Sequence, residues 1–151
     1  MLAQTADQNC FMKKYFAILP VLCPVFFLSA PGVDADEMEK LAGKWSVKKT
    51  TDEGTFTQVL ELKKNGKFTF KIVGSDNKER LYAEGEVKAE KAGAFEVLKF
   101  STNKAGKSQQ EAEAAEDERF VVYRLTDDGL FLASNFDKER SQKPTSDLYT
   151  K

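Results

Sequence analysis

The chain has 151 residues, about the length of one domain. Its 23 Lys and Arg residues nearly balance its 24 Asp and Glu residues, so charge gives no support for a nucleic-acid partner. The chain contains no histidine, and its cysteines, Cys10 and Cys23, lie near the N-terminus. These facts exclude Ser-His-Asp and Cys-His catalysis and imidazole zinc sites from the rest of the chain. We therefore expect a protein that is not an enzyme and that needs no cofactor and no metal.

An export signal is predicted at the N-terminus. Lys13 and Lys14 form a basic region, residues 15–28 form an apolar run, and small residues follow. The apolar run is short and is interrupted by Pro20 and Pro24, so it is poorly suited to span a bilayer. We expect a periplasmic or secreted protein. The alternative is an uncleaved signal that acts as a membrane anchor, and this is the one membrane contact that the sequence indicates.

The signal has two candidate starts and two candidate cleavage sites. Translation starts at Met1 or at Met12, since Met12 begins a complete signal by itself. Cleavage after Ala30 would leave a proline directly behind the cut, so cleavage after Ala35 is favoured. Both cysteines then leave with the signal, and the mature chain has no disulfide. The signal peptide is therefore assigned to residues 1–35 and the domain to residues 36–151.

The first half of the domain alternates polar and apolar residues with a period of two, which is typical of half-buried strands. A helical turn over residues 36–41 precedes strands over residues 44–50 and 56–62. Asn65-Gly66 then predicts a two-residue type I′ hairpin turn into a strand over residues 68–72, because both positions of that turn require positive φ.

The second half of the domain continues this pattern. Gly85, in the middle of a strand, predicts a bend or a close backbone approach. Leu148 and Tyr149 are expected to close the sheet as a last short strand. The predicted fold class is all-β, an antiparallel meander of about seven or eight strands that closes into a small barrel. The strands of this half are predicted over residues 80–88, 95–100, 119–125 and 130–134.

Residues 102–118 interrupt the alternation. Ser108 and Glu111 have the spacing of a helix capping box, but the segment offers no large apolar residue for burial. We predict an exposed loop with at most a frayed helical turn. Its acidic residues lack the spacing of a calcium loop, which favours a solvated loop over a metal site. These residues are Glu111, Glu113, Glu116, Asp117 and Glu118.

Two other groups of carboxylates have structural explanations. Asp127 and Asp128 lie between two predicted strands, where a β-turn explains them better than an acid–base pair does. Glu84 and Glu86 share a strand face with Tyr82, and we expect that face to lie in solvent.

The first strand begins with Gly43-Lys44-Trp45, directly after the helical turn. This arrangement resembles the Gly-x-Trp signature of the lipocalins. The pattern that continues through residues 37–134 is similar to the small lipocalin-like domains of bacterial secreted proteins, and it implies a calycin-type β-barrel. The positions that carry the resemblance are Leu41, Gly43, Trp45, Val47, Leu60 to Phe68, Gly85, Val87 and Tyr123 to Leu132.

The chain also departs from that family. Typical lipocalins are longer, and they often carry a disulfide and a Thr-Asp-Tyr motif, neither of which is evident here. In lipocalins an arginine near the end of the barrel packs across the tryptophan, and Arg140 and Lys151 are the two candidates for that position. The resemblance therefore supports the barrel more than it supports a lipocalin-type cargo pocket.

The candidate ligand-binding residues are those expected inside the barrel. Trp45 is expected to close the base of the barrel more than to line a cavity. The large apolar residues either surround a pocket or fill the interior. Gln58 shares their face, where it either orients a ligand or lies at the mouth. The candidates are Trp45, Phe56, Gln58, Leu60, Phe68, Phe70, Phe95, Phe120 and Leu132.

Two functions follow from these expectations. The first is a non-catalytic, exported domain that binds a small apolar molecule by burying its surface. The alternative is an extracytoplasmic protein-interaction or inhibitor module, in which the barrel is filled and the loop over residues 102–118 recognises a protein partner.

Overall fold

A computed structural model describes residues 35–52, 54–136 and 143–151. The predicted export signal, apart from its last residue, lies outside these ranges. Helix α1 comes first and is followed by eight strands. The elements are α1 (Ala35–Leu41), β1 (Gly43–Thr51), β2 (Gly54–Leu62), β3 (Lys67–Gly74), β4 (Glu79–Ala92), β5 (Phe95–Gly106), β6 (Glu113–Thr126), β7 (Gly129–Ser134) and β8 (Thr145–Tyr149).

The strands form one antiparallel meander that is a nearly closed barrel. Each strand pairs with the next along the chain, in the order β1 to β8. At the seam between β1 and the end of β8, Ser46 and Thr150 exchange two backbone hydrogen bonds of 2.8 and 2.9 Å. The predicted fold class and the short N-terminal helical turn are confirmed.

The turn between β2 and β3 lies where Asn65-Gly66 predicted it, but its type differs. Gly66 has a φ of 73°, whereas Asn65 is absent from the residues with positive φ, so a type I′ turn is wrong. Gly66 donates its N–H to the carbonyl of Lys63 at 3.0 Å, and the Asn65 side chain accepts the N–H of Lys67 at 3.2 Å. The connection is therefore a type I turn followed by a glycine in the left-handed conformation. The added glycine makes the turn compatible with the right-handed twist of the two strands.

The predicted loop over residues 102–118 is wrong in most of its length. β5 continues to Gly106 and β6 begins at Glu113, so only residues 107–112 connect the two strands. The ladder between them shifts register between Thr102 and Lys104 and then resumes. Backbone pairing holds this segment extended, although it carries no large apolar side chain: its β5 part pairs with β4 and β6, and its β6 part pairs with β5.

Gly85 provides the close approach that its place in the strand predicted. A Cβ atom there would lie 2.1 Å from the carbonyl oxygen of Ser101 and 3.0 Å from the ring of Phe68. The pairing between β4 and β5 also shifts register between Glu84 and Gly85. A residue without a side chain is therefore needed where β4 bends across β5.

The hydrophobic core fills the end of the barrel that α1 covers, which we call the base. Leu41 is fully buried, and Trp45 is 3% exposed and donates its indole N–H to the Leu41 carbonyl at 2.8 Å. Next to them, the rings of Phe68 and Phe100 meet edge to face, with centroids 4.9 Å apart and an interplanar angle of 82°. Large buried side chains thus pack together at the base, as aromatic and aliphatic groups do in a native core.

The face of β4 that carries Tyr82 is only partly in solvent. Tyr82 is 2% exposed, so the prediction of a solvated face is wrong for this residue. Its hydroxyl donates to Glu84 at 2.6 Å, and the ammonium of Lys71 lies over its ring, 5.3 Å from the centroid. Polar neighbours on the outside of the barrel therefore cover an aromatic ring, as long side chains with charged ends commonly do.

Within the ranges that the structure describes, no helix combines the length and the apolar character needed to cross a bilayer.

Candidate functional site in the barrel

A cavity of about 700 Å³ lies inside the barrel above the base, and all eight strands contribute to its lining. Four of its lining residues flank the β3–β4 and β5–β6 connections: Ile72, Leu81, Gly106 and Ala115. Leu81 faces inward by its position in β4, yet it is 38% exposed. The cavity therefore opens to solvent at this end of the barrel, which we call the mouth.

One wall of the cavity is apolar and comes from β2 to β5. The register places Phe70 opposite Ala83 and Ile72 opposite Leu81. The inward residues of β3 alternate with Thr69 and Lys71, which point outward. This alternation is the pattern from which the inward face of the strand was predicted. The larger residues of this wall are Leu60, Phe68, Phe70, Ile72, Leu81 and Phe100.

The other wall is polar and comes mainly from β1 and from β6 to β8. Lys49 Nζ lies 2.6 Å from Asp147 Oδ2, and both side chains are largely shielded from solvent. Arg119 Nε lies 2.6 Å from Asp117 Oδ2. The Lys49–Asp147 pair bridges the β1–β8 seam on the mouth side of the Ser46–Thr150 hydrogen bonds. Each charge in this wall therefore has an opposite charge next to it.

Gln58 and Tyr149 form a hydrogen bond within the lining. Tyr149 donates its hydroxyl to Gln58 Oε1 at 2.6 Å. Burial raises the pKa of Tyr149, and the negative charge of Asp147 raises it further, so the phenol keeps its proton and remains a donor near neutral pH. This bond occupies the carbonyl end of Gln58, while no described residue accepts a hydrogen bond from its amide nitrogen.

The candidate residues from the sequence separate into three groups. Trp45 and Phe56 lie on the inward faces of their strands but do not line the cavity. Trp45 is part of the packed core at the base. Phe95 and Phe120 are more than half exposed. The candidates that line the cavity on inward faces are Gln58, Leu60, Phe68, Phe70 and Leu132.

Phe95 and Phe120 are not interior residues, so their predicted placement is wrong. Phe95 is 62% exposed and absent from the lining. Phe120 borders the cavity but is 51% exposed, and its ring lies 5.5 Å from the ammonium of Lys99. Its neighbour Val121 is buried in the core instead. Both strands carry apolar residues at odd and even positions, so the alternation alone did not reveal which set faces inward.

Four charged residues of the polar wall were absent from the candidates: Lys49, Asp117, Arg119 and Asp147. For three of them, the period-two spacing from neighbouring apolar residues indicated an inward position. Lys49 follows Trp45 and Val47 at even steps, Arg119 precedes Val121, and Asp147 precedes Tyr149. Asp117 was assigned to a solvated loop, and only the continuation of β6 brings it to the cavity.

The acidic residues of the β5–β6 region do not gather at one point. Asp117 faces the cavity, whereas its neighbours Glu116 and Glu118 are exposed. In the described part of the chain, no three His, Cys, Asp or Glu residues are grouped so that they could hold a metal ion.

Comparison with protein-family models, with curated proteins and with solved structures finds no match to this chain. The antiparallel barrel is consistent with the calycin-like architecture that the Gly-x-Trp pattern implied.

Proposed function

We propose that this protein is an exported, non-catalytic, lipocalin-like domain that binds a small hydrophobic molecule in its barrel. The observation that carries the proposal is the cavity of about 700 Å³ with one apolar wall. Its size lies within the range of about 300–1,000 Å³ that is typical of small-molecule sites. Binding would be driven by burial of apolar surface, which contributes about 25 cal/mol per Å² before the costs of ordering.

The non-catalytic part of the proposal rests on residue types. The chain has no histidine, and the charged groups of the cavity form two close ion pairs. A general base needs an acceptor positioned to take a proton from a substrate, and each described carboxylate of the cavity is in contact with a cation instead.

The export signal and the family assignment belong to the same proposal. The basic and apolar regions before residue 29 support export. Gly43-x-Trp45 at the packed base of the barrel supports a lipocalin-like domain. Export is tested by expression of the full-length gene in a bacterium and N-terminal sequencing of the periplasmic product. A start at Asp36 supports the proposed cleavage, and retention of the full chain in the cytoplasm contradicts it.

Ligand binding is tested by native mass spectrometry of the purified protein and by titration with a neutral fluorescent probe, N-phenyl-1-naphthylamine. We expect an extractable added mass or saturable probe binding. Phe70→Glu should abolish either signal, because it places a charge on the apolar wall. Phe95→Glu is the matched control, since Phe95 is exposed and outside the lining. Failure of a broad apolar panel to bind, or equal loss in both variants, contradicts the proposal.

A protein-interaction or inhibitor function is the second candidate, and exposed apolar residues on the outer face favour it. Phe131 and Leu148 are cross-strand partners, and both are more than a third exposed. The connection over residues 107–112 lies next to the mouth and replaces the longer loop as the candidate recognition segment. Replacement of residues 107–112 by a short turn should abolish partner capture if this function is right, and unchanged capture contradicts it.

A further inference from the structure

The charges of the described lining residues cancel, and this limits what kind of ligand fits. Among the described lining residues, two are cations, Lys49 and Arg119, and two are carboxylates, Asp147 and Asp117. They form two ion pairs with nitrogen–oxygen distances of 2.6 Å. A single unpaired cation would attract an anionic ligand, but here each cation is already neutralised by a carboxylate in direct contact.

We infer that the cavity takes an amphiphile with no net charge, whose head group is uncharged or zwitterionic and whose body is apolar. This inference rests on the proposed function and names the ligand class for the same cavity. The apolar body lies against the wall that includes Phe70 and Ile72, and the head group lies against the two ion pairs.

A ligand with a net charge faces opposing forces at this wall. A carboxylate that approaches Arg119 also approaches Asp117, so attraction and repulsion offset each other. The cost is higher at Lys49, because the Lys49 and Asp147 side chains are only 25% and 19% exposed. A ligand that takes Lys49 for itself leaves Asp147 without its cation in a partly shielded site, which is costly. An alkylammonium ligand meets the mirror-image difficulty, because it must separate a carboxylate from Arg119 or Lys49.

A head group without net charge avoids this cost and still finds partners. The guanidinium of Arg119 and the amide nitrogen of Gln58 donate hydrogen bonds, and the carboxylates of Asp117 and Asp147 accept them. A hydroxyl group can use both kinds of partner at once. A zwitterion can place its anion near a cation and its ammonium near a carboxylate, so that both pairs remain compensated.

The test compares ligands that share one dodecyl chain and differ in head-group charge. The purified protein is titrated with monolauroylglycerol, dodecylphosphocholine, laurate and dodecyltrimethylammonium, each in competition with N-phenyl-1-naphthylamine. We expect the first two to bind at least about tenfold more tightly than the last two. Preference for laurate or for dodecyltrimethylammonium overturns the inference but keeps the proposed function. No binding of the probe or of any ligand overturns the proposed function itself.

Substitutions that unbalance one pair should redirect the preference. Asp117→Asn leaves Arg119 uncompensated, so the affinity for laurate should rise at least about tenfold relative to that for dodecylphosphocholine. Asp147→Asn leaves Lys49 uncompensated and should raise the relative affinity for laurate in the same way. This second variant provides the test if the first does not fold. The control Asp127→Asn removes an exposed carboxylate of the β6–β7 turn and should change nothing. An unchanged preference in both folded cavity variants overturns the inference.

Discussion

The ammonium group of Lys151 lies over the ring of Trp45, 4.7 Å from the ring centroid. It therefore occupies the position for which the lipocalin resemblance offered Arg140 and Lys151, while Arg140 lies outside the described residues. Trp45 also donates its indole N–H to the Leu41 carbonyl. One aromatic side chain thus connects α1, β1 and the residue that follows the β1–β8 bridge. The contact is of the cation–π type and joins β1 to the chain beyond β8, next to the seam.

Replacement of Lys151 by methionine should weaken this contact. Methionine keeps most of the apolar stem but removes the charge, so we expect a loss of about 0.5–1 kcal/mol in the free energy of unfolding. Urea unfolding followed by fluorescence measures the loss directly, because Trp45 is the only tryptophan of the chain. Lys91→Met, at an exposed position of β4, is the control. Equal effects of the two substitutions would show that the contact contributes nothing.

The ion pair at the seam should couple more strongly than an ion pair on the surface. Lys49 and Asp147 are 25% and 19% exposed, whereas Lys67 and Glu86 are 49% and 55% exposed at the same 2.6 Å distance. Double-mutant cycles with Lys49→Met and Asp147→Leu should give a coupling of about 1 kcal/mol, against about 0.3 kcal/mol for the surface pair. If the surface pair couples as strongly as the seam pair, shielding by the barrel wall has no influence.

Gly85→Ala should destabilise the protein through lack of space. The added Cβ would lie 2.1 Å from the Ser101 carbonyl oxygen, so the strands must separate, at a cost of about 2–4 kcal/mol. Gly93→Ala is an informative comparison, because nothing lies within 4 Å of its Cβ position and its φ is +63°. That variant should lose only about 1 kcal/mol, from backbone strain alone. Thermal unfolding of the two variants separates the two causes, and a smaller loss at Gly85 than at Gly93 is the contrary result.

The sequence predicted strands well where only one face of the strand was apolar. In β3, Phe68, Phe70 and Ile72 alternate with Thr69 and Lys71, and the structure turns the apolar set inward. In β5 and β6 both sets contain large apolar residues, because the outer face of the barrel carries Phe95 and Phe120. Composition then does not distinguish the two faces, and only the pairing with neighbouring strands does so.

The cavity also explains why the strand ends near the mouth resembled a loop. Ala105 and Ala115 are lining residues of β5 and β6 in the segment predicted as a loop. A strand that faces packed core must supply large apolar side chains, whereas a strand that faces open space can supply small or polar ones. The absence of large residues between 102 and 118 was therefore a sign of the cavity, and a period-two pattern alone does not separate this case from an exposed loop.

Tyr82 should make the stability of the barrel sensitive to high pH. Its burial raises the pKa of Tyr82 to about 12, and the hydrogen bond to Glu84 acts in the same direction. Below the unfolded pKa of about 10, the phenol is protonated in both states and its contribution to stability is fully present. Between that pH and about 12, the unfolded chain releases the proton while the folded chain keeps it, so the free energy of unfolding falls as pH rises.

Tyr82→Phe removes this titration and should flatten the dependence. From about pH 9 to about pH 11 we expect the unmodified protein to lose about 1 kcal/mol more stability than the variant does. Urea unfolding at both pH values gives the difference, and titration of tyrosine absorbance in the folded state gives the pKa independently. Because lysines titrate over the same range in both proteins, their contribution cancels in the comparison. Parallel stability curves for the two proteins would mean that Tyr82 keeps its ordinary pKa in the folded barrel.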